Sequence, residues 1–336
     1  MNLIKLNDIL ATEPKYRYTQ INRAIFQDNL DDWSKVSNLP KTLREKLVAS
    51  CPLEIKAQLF KAPGKFSEKA LITLEDGEVV ETVLIRQKDK RNTICLSSQV
   101  GCPLNCAFCA TGKLGFQRNL SAAEIVEQLV FWSRYLKLAG RDEKIDNVVF
   151  MGMGEPFLNY LEFIKAVKFI NNPETVGLGS RRISVSTAGI IPGIRKIAGE
   201  KLQINLAISL HAASDGLRAD LMPVAKKYSL RELFRAVDDY INKTGRRVMF
   251  EYLLLKGVND SDLDAQQLAK LMQRPLCLVN LIPYNPTGYF QPSSRERVEK
   301  FKKILEDQGV AVTVRLSFGA EIAAACGQLG KKIREK

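Results

Sequence analysis

Apolar residues along this chain recur at two spacings, and the change from one to the other divides it. Through about residue 62 the spacing is helical. Tyr18-Thr-Gln-Ile-Asn-Arg-Ala-Ile-Phe26 returns an apolar side chain every three or four positions, and Leu39-Pro40 precedes a second such run, Leu43 to Val48. Ala62-Pro63-Gly64 punctuates the end of this segment. Leu71 to Leu74 and Val79 to Arg86 then read as hairpin strands around a turn holding Asp76-Gly77. From Thr93 onward strands alternate with helices. The predicted strands are Thr93–Ser97, Asn147–Met151, Arg182–Thr187, Ile204–Leu210, Val248–Leu255, Leu276–Ile282 and Val310–Arg315. Capping boxes open two of the intervening helices, at Ser121-Ala-Ala-Glu124 and Ser229-Leu-Arg-Glu232. Repeated βα units predict an α/β fold with a parallel sheet. Seven strands fall short of the eight in a closed barrel, so a partial (β/α) barrel is expected. The expected division is 1–62, a small N-terminal helical accessory domain; 63–92, a β-hairpin linker; and 93–336, the partial barrel.

Composition changes the picture mainly through charge. Of 336 residues, 46% are hydrophobic and 26% charged, the profile of a soluble globular chain. The N-terminus, Met1-Asn2-Leu3-Ile4-Lys5, lacks the apolar core of a signal peptide, and no stretch has membrane-span length. A cytoplasmic protein without a membrane partner is expected. Fifty Lys and Arg against 37 Asp and Glu leave +13. The excess gathers at Arg86 to Arg91, Arg181-Arg182, Lys226-Lys227, Arg246-Arg247, Arg295 to Lys303 and Lys331 to Lys336. Clustered cations favour a polyanion, above all a nucleic acid, over a role in solubility alone.

The seven cysteines, an odd number, suit a reducing compartment better than a disulfide framework. Three of them, Cys102, Cys106 and Cys109, stand in Cys-Pro-Leu-Asn-Cys-Ala-Phe-Cys, a C-x3-C-x2-C spacing. Three thiolates on one loop can ligate three irons of a [4Fe–4S] cluster and leave the fourth open to a substrate or cosubstrate. Zinc would want a fourth ligand nearby, and the single histidine, His211, is distant in sequence. A disulfide would strain the short spacing and leave one thiol unpaired. The open cluster is the favoured reading, with zinc and simple packing as the alternatives. Other candidate chemistry also falls at strand ends. Met151-Gly-Met-Gly-Glu155 follows the second strand, Ser186-Thr187 ends the third, Ser209-Leu210-His211 ends the fourth, and Asn285 lies past the sixth. Parallel α/β folds build active sites at that edge.

The cysteine triplet with Gly152-Met-Gly-Glu155 resembles the radical S-adenosylmethionine (SAM) superfamily. A narrower resemblance covers nearly the whole chain. Val80-Glu81-Thr82-Val83, Ile94-Cys95-Leu-Ser-Ser-Gln-Val-Gly-Cys102, Met151-Gly-Met-Gly-Glu-Pro156, Ser186-Thr187, Ser209-Leu-His211 and Ala324-Ala-Cys-Gly-Gln-Leu329 stand in order. Together they are similar to the dual-specificity rRNA adenine methyltransferase family. This resemblance implies a barrel of radical SAM type ending in a methyl-carrier segment, and an RNA-binding accessory domain. It implies methylation of carbon 2 of adenine 2503 in 23S rRNA, and of adenine 37 in tRNA as a further substrate. By resemblance Cys326 carries the methyl group as S-methylcysteine, Cys95 attacks Cys326 to release product through a transient disulfide, and Glu81 accepts the ring proton. Gly154, Glu155, Ser186, Ser209, Leu210, His211 and Asn285 would bind SAM, two molecules per turnover, beside the cluster on Cys102, Cys106 and Cys109. An external electron donor and a disulfide reductant complete the implied partners of a monomer.

Read without the resemblance, Cys326 is a buried helix cysteine, Cys95 a packing residue, Glu81 an exposed strand carboxylate and His211 a satisfied core histidine. Cys51 and Cys277 match no motif and are expected to pack. The chain departs from the family pattern at Ala225, where asparagine is common, and at Glu321-Ile-Ala323, where two aspartates are usual. Methylation of carbon 8 by a close relative, a glycyl-radical activase and an iron–sulfur RNA-binding sensor are the competing readings.

Overall fold

The computed structural model describes residues 3–64, 66–138, 143–315 and 318–330. The terminal residues Met1-Asn2 and the basic run Lys331 to Lys336 lie outside them. Helices α1 (Leu3–Leu10), α2 (Tyr16–Asn22) and α3 (Lys41–Ser50) form the N-terminal module, with a π-turn at Arg23–Gln27 and a 3-10 turn at Trp33–Lys35. Buried Leu6, Ile21, Ile25, Leu43 and Leu47 close around Trp33, whose Nε1 donates to the Cys51 carbonyl at 2.6 Å. Cys51 is fully buried, as a packing residue.

Strands β1 (Ala57–Lys61), β2 (Ser67–Thr73) and β3 (Val79–Arg86) run antiparallel, and β3 pairs antiparallel with β4 (Asn92–Cys95). The expected boundary at residues 62 and 63 thus falls inside the β1–β2 turn. The hairpin is part of the main sheet, because β3 bonds β4 directly. A small ribbon, β5 (Gln99–Gly101) with β6 (Phe116–Asn119), brackets the short helix α4 (Ala110–Lys113). Then follow α5 (Ala122–Leu138), β7 (Asn147–Phe150), α6 (Tyr160–Asn171), β8 (Ile183–Thr187), α7 (Ile191–Ile197), β9 (Asn205–Ser209), α8 (Asp215–Leu221), α9 (Leu230–Thr244), β10 (Val248–Leu254), α10 (Asp262–Leu271), β11 (Cys277–Pro283), α11 (Arg295–Asp307) and β12 (Val312–Val314). Both expected capping boxes form: Glu124 N–H donates to Ser121 Oγ at 3.2 Å and Glu232 N–H to Ser229 Oγ at 3.3 Å.

The ten strands make one sheet in the order β1-β2-β3-β4-β7-β8-β9-β10-β11-β12. From β4 to β12 every pair is parallel, and these seven strands are the seven expected from the pattern. Register then sorts side chains between two faces, since successive residues point opposite ways. Ile94, Val148, Phe150, Val185, Leu206, Ile208 and Phe250 face the helices and fill the core with Trp132, Phe163 and Leu233. Cys95 stands beside Val149, Val149 beside Ser184, and Ser209 beside Glu251, which stands beside Asn280. That second face is concave and lines the cavities. The N-terminal module is packed on the outer layer: the Phe26 and Phe169 rings meet edge-on at 4.8 Å, and Arg134 Nη1 donates to Leu53 O at 2.6 Å. Among the described residues no helix is long and apolar enough to cross a membrane.

Candidate functional site

The cysteine loop is built at the mouth of the β5–β6 ribbon. Gly101 has φ +74°, and a Cβ there would lie 1.9 Å from the Gly115 carbonyl oxygen. That oxygen accepts the Cys102 N–H at 2.8 Å, so only glycine lets the ribbon close on the loop. Asn105, between the first two cysteines, takes φ 48°, a left-handed turn that asparagine tolerates. Cys102, Cys106 and Cys109 all line a cavity of about 170 Å³. Burial pushes the Cys102 thiol up to about 12 and the Cys106 thiol well above its ordinary value, and the neighbouring thiols push the same way. Thiols so placed ionise when a metal takes their charge, so the donor set fits a cluster. Among the described residues no three His, Cys, Asp or Glu side chains gather as a single-ion site.

Opposite the cysteines, the strand ends supply polar groups. A Cβ at Gly152 would meet the Leu96 carbonyl oxygen at 2.7 Å, and one at Gly154 (φ +93°) would meet Gln99 Cβ at 2.5 Å. These glycines press the β7 turn onto the segment entering the cysteine loop. Glu155 is buried; its Oε1 accepts from Phe157 N–H at 3.0 Å and its Oε2 from Ala188 N–H at 2.7 Å. Burial still raises its carboxyl to about 7. Each oxygen keeps a second lone pair, so the carboxylate anchors the β8 loop and retains capacity for a ligand amine. Ser186 Oγ lies 3.4 Å from Ser209 Oγ, and both line the cavity.

His211 also lines it, with φ 59°; its Nδ1 accepts from Leu253 N–H at 3.0 Å, which puts the ring proton on Nε2. Burial pushes this imidazole down to about 3, so it is neutral. The side chain is therefore both a satisfied core group and a cavity wall. Leu210 is fully buried in the core and contributes through its backbone, whose carbonyl accepts Arg218 Nε at 3.2 Å. Asn285 points at the carrier segment, donating from Nδ2 to the Cys326 carbonyl at 3.3 Å.

A second cavity, of about 510 Å³, opens on the same concave face. Its wall includes Cys95, Val149, Ser184 and Met249. Cys326 belongs to the walls of both cavities, as do Met151, Glu251 and Arg315. The segment bearing Cys326 is tied at several points: Ala110 N–H donates to Gly327 O at 2.8 Å, Thr111 Oγ1 to Leu329 O at 2.7 Å, and Gln328 Nε2 to Pro286 O at 3.3 Å. It contains a 3-10 turn, Ala320–Ile322, followed by Ala323 at φ 50°. Cys95 and Cys326 are both free thiols. Burial, then the charge of Cys326, pushes Cys95 up to about 12, while Arg315 opposes them.

Glu81 lies on the same sheet face as Val83, the strand neighbour of Cys95, yet lines neither cavity. Its Oε2 accepts from Lys69 Nζ at 3.1 Å instead. Cys277, half-buried at the start of β11, only packs.

Three residues were not singled out in the sequence. Glu251 Oε2 accepts from Ser186 Oγ at 2.9 Å, and its Oε1 lies 3.4 Å from Arg315 Nη1. A lone carboxylate inside the apolar run Val248–Leu255 was the available sign. Arg218 is fully buried on α8 and donates to the carbonyls of Ala188 and Ser209 at 2.7 and 3.3 Å. Nothing in its amphipathic surroundings marked it.

Comparison with known proteins bears on the family and the fold. Residues 96–269 match the model of the radical SAM superfamily. Two relatives carry the name "Probable dual-specificity RNA methyltransferase RlmN". One, from Symbiobacterium thermophilum, is 43% identical, covering 100% of this chain and 91% of that protein. The other, from Syntrophomonas wolfei, is 45% identical over 96% of this chain and 93% of that protein. A crystal structure of a radical SAM methyltransferase from Sphaerobacter thermophilus superposes with a TM-score of 0.92 at 43% identity, covering 98% of this chain and 97% of that one. The chain belongs to the radical SAM superfamily and, within it, to the RlmN family of dual-specificity RNA methyltransferases.

Proposed function

We propose that this protein methylates carbon 2 of adenine 2503 in 23S rRNA, and of adenine 37 in tRNA, through a methyl group carried on Cys326. The observation that carries the reading is the position of Cys326 where two cavities meet. One holds the cysteine triplet with Gly154, Glu155, Ser186, Ser209 and His211, and the other is larger and holds Cys95. A carrier has to face both the source of its carbon and the acceptor. The family and the +13 charge support an RNA acceptor.

When bound, a [4Fe–4S] cluster on Cys102, Cys106 and Cys109 together with two SAM molecules per turnover supplies the methyl group and the hydrogen-abstracting radical. The chain does the rest. Gly154 permits close approach of the backbone, Glu155 offers a carboxylate to the methionine amine, and Ser186, Ser209, His211 and Asn285 fix the remaining polar groups, with Leu210 acting through its backbone. Cys326 holds the carbon and presents it to the adenine ring. Glu81 takes the ring proton, restoring aromaticity. Cys95 then attacks the Cys326 sulfur: the S–S bond forms as the S–C bond breaks, the electron pair leaves with the carbon, which takes up a proton to become the methyl group, and an external dithiol reduces the disulfide. That cycle suits a reducing cytoplasm. An external electron donor serves the cluster, the N-terminal helical module joins in holding RNA, and the protein works as a monomer.

The test is anaerobic incubation with rRNA or tRNA transcripts and methyl-labelled SAM, followed by digestion and mass spectrometry. We expect 2-methyladenosine. 8-Methyladenosine would overturn the position, and no methyladenosine from a protein with full iron content would overturn the reading.

A further inference from the structure

Lys69 is a lysine with no solvent exposure, on the inner face of β2. A buried ammonium needs a counter-charge and filled donor positions. Its Nζ donates to Glu81 Oε2 at 3.1 Å and to the Ala323 carbonyl at 3.2 Å, and the Phe60 ring of β1 lies 5.9 Å away. Ala323 is three residues before Cys326. The same strand receives the start of the carrier segment. Phe66 stacks on Phe318 at 5.6 Å, and a side chain at Gly319 would come within 2.5 Å of Ser67 Oγ. The elements packed around the pair add few charges. Glu81 is the one charged group acting on Lys69, the Glu81 N–H donates to the Met153 sulfur, and Glu321 of the carrier segment is exposed.

We infer that Lys69 is a positioning residue, a single cation that holds the Glu81 side chain in place and pins the carrier segment through the Ala323 carbonyl. The inference rests on the roles of Glu81 and Cys326 proposed above. Its physical content is that one ammonium serves two groups that must act in turn on the same carbon. Without it, Glu81 is a buried carboxylate lacking both a counter-charge and a hydrogen-bond donor, and nothing holds it in place. The carrier segment meanwhile loses one of its ties to the sheet.

The test compares wild type, Lys69→Met and Lys69→Arg, each with its cluster reconstituted. In the first arm, Cys326 alkylation by iodoacetamide is timed by peptide mass spectrometry. Lys69→Met should alkylate several-fold faster, with Lys69→Arg near wild type; equal rates in all three refute the pinning. In the second arm, methyladenosine formation is measured across RNA concentrations. Lys69→Met should lose about tenfold or more in kcat with KM for RNA near wild type, and Lys69→Arg should restore it. An unchanged kcat refutes the effect on Glu81. If the wild type makes no methyladenosine at any RNA concentration, the function proposed above fails and the Glu81 half of the inference fails with it, while alkylation still decides the pinning. Should Lys69→Met not fold, Lys69→Met/Glu81→Gln removes both charges together and carries the alkylation arm.

Discussion

Gly101→Ala is the substitution whose cost can be worked most directly from the structure. At φ +74° an alanine pays about 1–2 kcal/mol for a left-handed backbone. Its Cβ would also fall 1.9 Å from Gly115 O, a distance no pair of atoms sustains, so β5 and β6 must part. Parting them breaks the hydrogen bond from Cys102 N–H to Gly115 O, about 1 kcal/mol more. The sum is about 2–3 kcal/mol, concentrated at the base of the cysteine loop. Gly77→Ala is the internal control: φ is +87° there, but nothing lies within 4 Å of the new Cβ, so only the backbone cost applies. Denaturant unfolding measures both losses, and iron and sulfide per chain after anaerobic reconstitution measure the loop. We expect Gly77→Ala to lose about 1–2 kcal/mol and load iron normally. Gly101→Ala should lose about 1 kcal/mol or more beyond that and retain a minor fraction of the iron. Equal unfolding and equal iron in the two variants would refute the claim that this contact shapes the loop.

Other outcomes follow from the same geometry. Cys95→Ala should accumulate a covalent adduct between RNA and Cys326, visible as a shifted band on a denaturing gel; clean turnover would remove the disulfide step. Arg218→Met relieves the burial that pushes the guanidinium down to about 10, worth about 3 kcal/mol, but takes a donor from the carbonyls of Ala188, Ser209 and Leu210 at about 1–3 kcal/mol each. A net loss of about 3 kcal/mol is expected on unfolding, and a variant about 3 kcal/mol more stable than wild type would show that those bonds contribute nothing. For Glu155 the sign is that of a carboxyl raised by burial from 4.5 to about 7. Its folded state binds the proton more tightly, so stability is present below pH 4.5 and falls as pH rises to about 7, by about 3 kcal/mol in the cluster-free protein. Unfolding of wild type and Glu155→Gln across that window should show the slope only in the wild type; parallel curves would contradict it.

Local periodicity located all seven parallel strands to within two or three residues at either end, because strand and helix spacing are written in adjacent residues. Capping boxes at Ser121 and Ser229 marked helix starts for the same reason. Strand β1 and the β5–β6 ribbon escaped, since Ala57–Lys61 is mostly exposed and Gln99–Gly101 is too short to show alternation. The cysteine triplet and the glycine–glutamate turn were legible as motifs. Glu251, Arg218, Arg315 and Lys69 were not, because a charged residue in a strand or helix pattern reads as surface until its partners are known.

The sequence by itself determined the class of fold, the order of the strands along the chain and the spacing of the cysteine triplet. Those depend on spacing, residue type and resemblance. Only the tertiary structure decided which side chains meet: Cys326 at the junction of two cavities, Cys95 on the wall of the larger, Lys69 between Glu81 and the Ala323 carbonyl. Lys69 and Ala323 are 254 positions apart. A contact at such separation is set by strand register and by the path of the carrier segment back to β2, and no short window of sequence holds either.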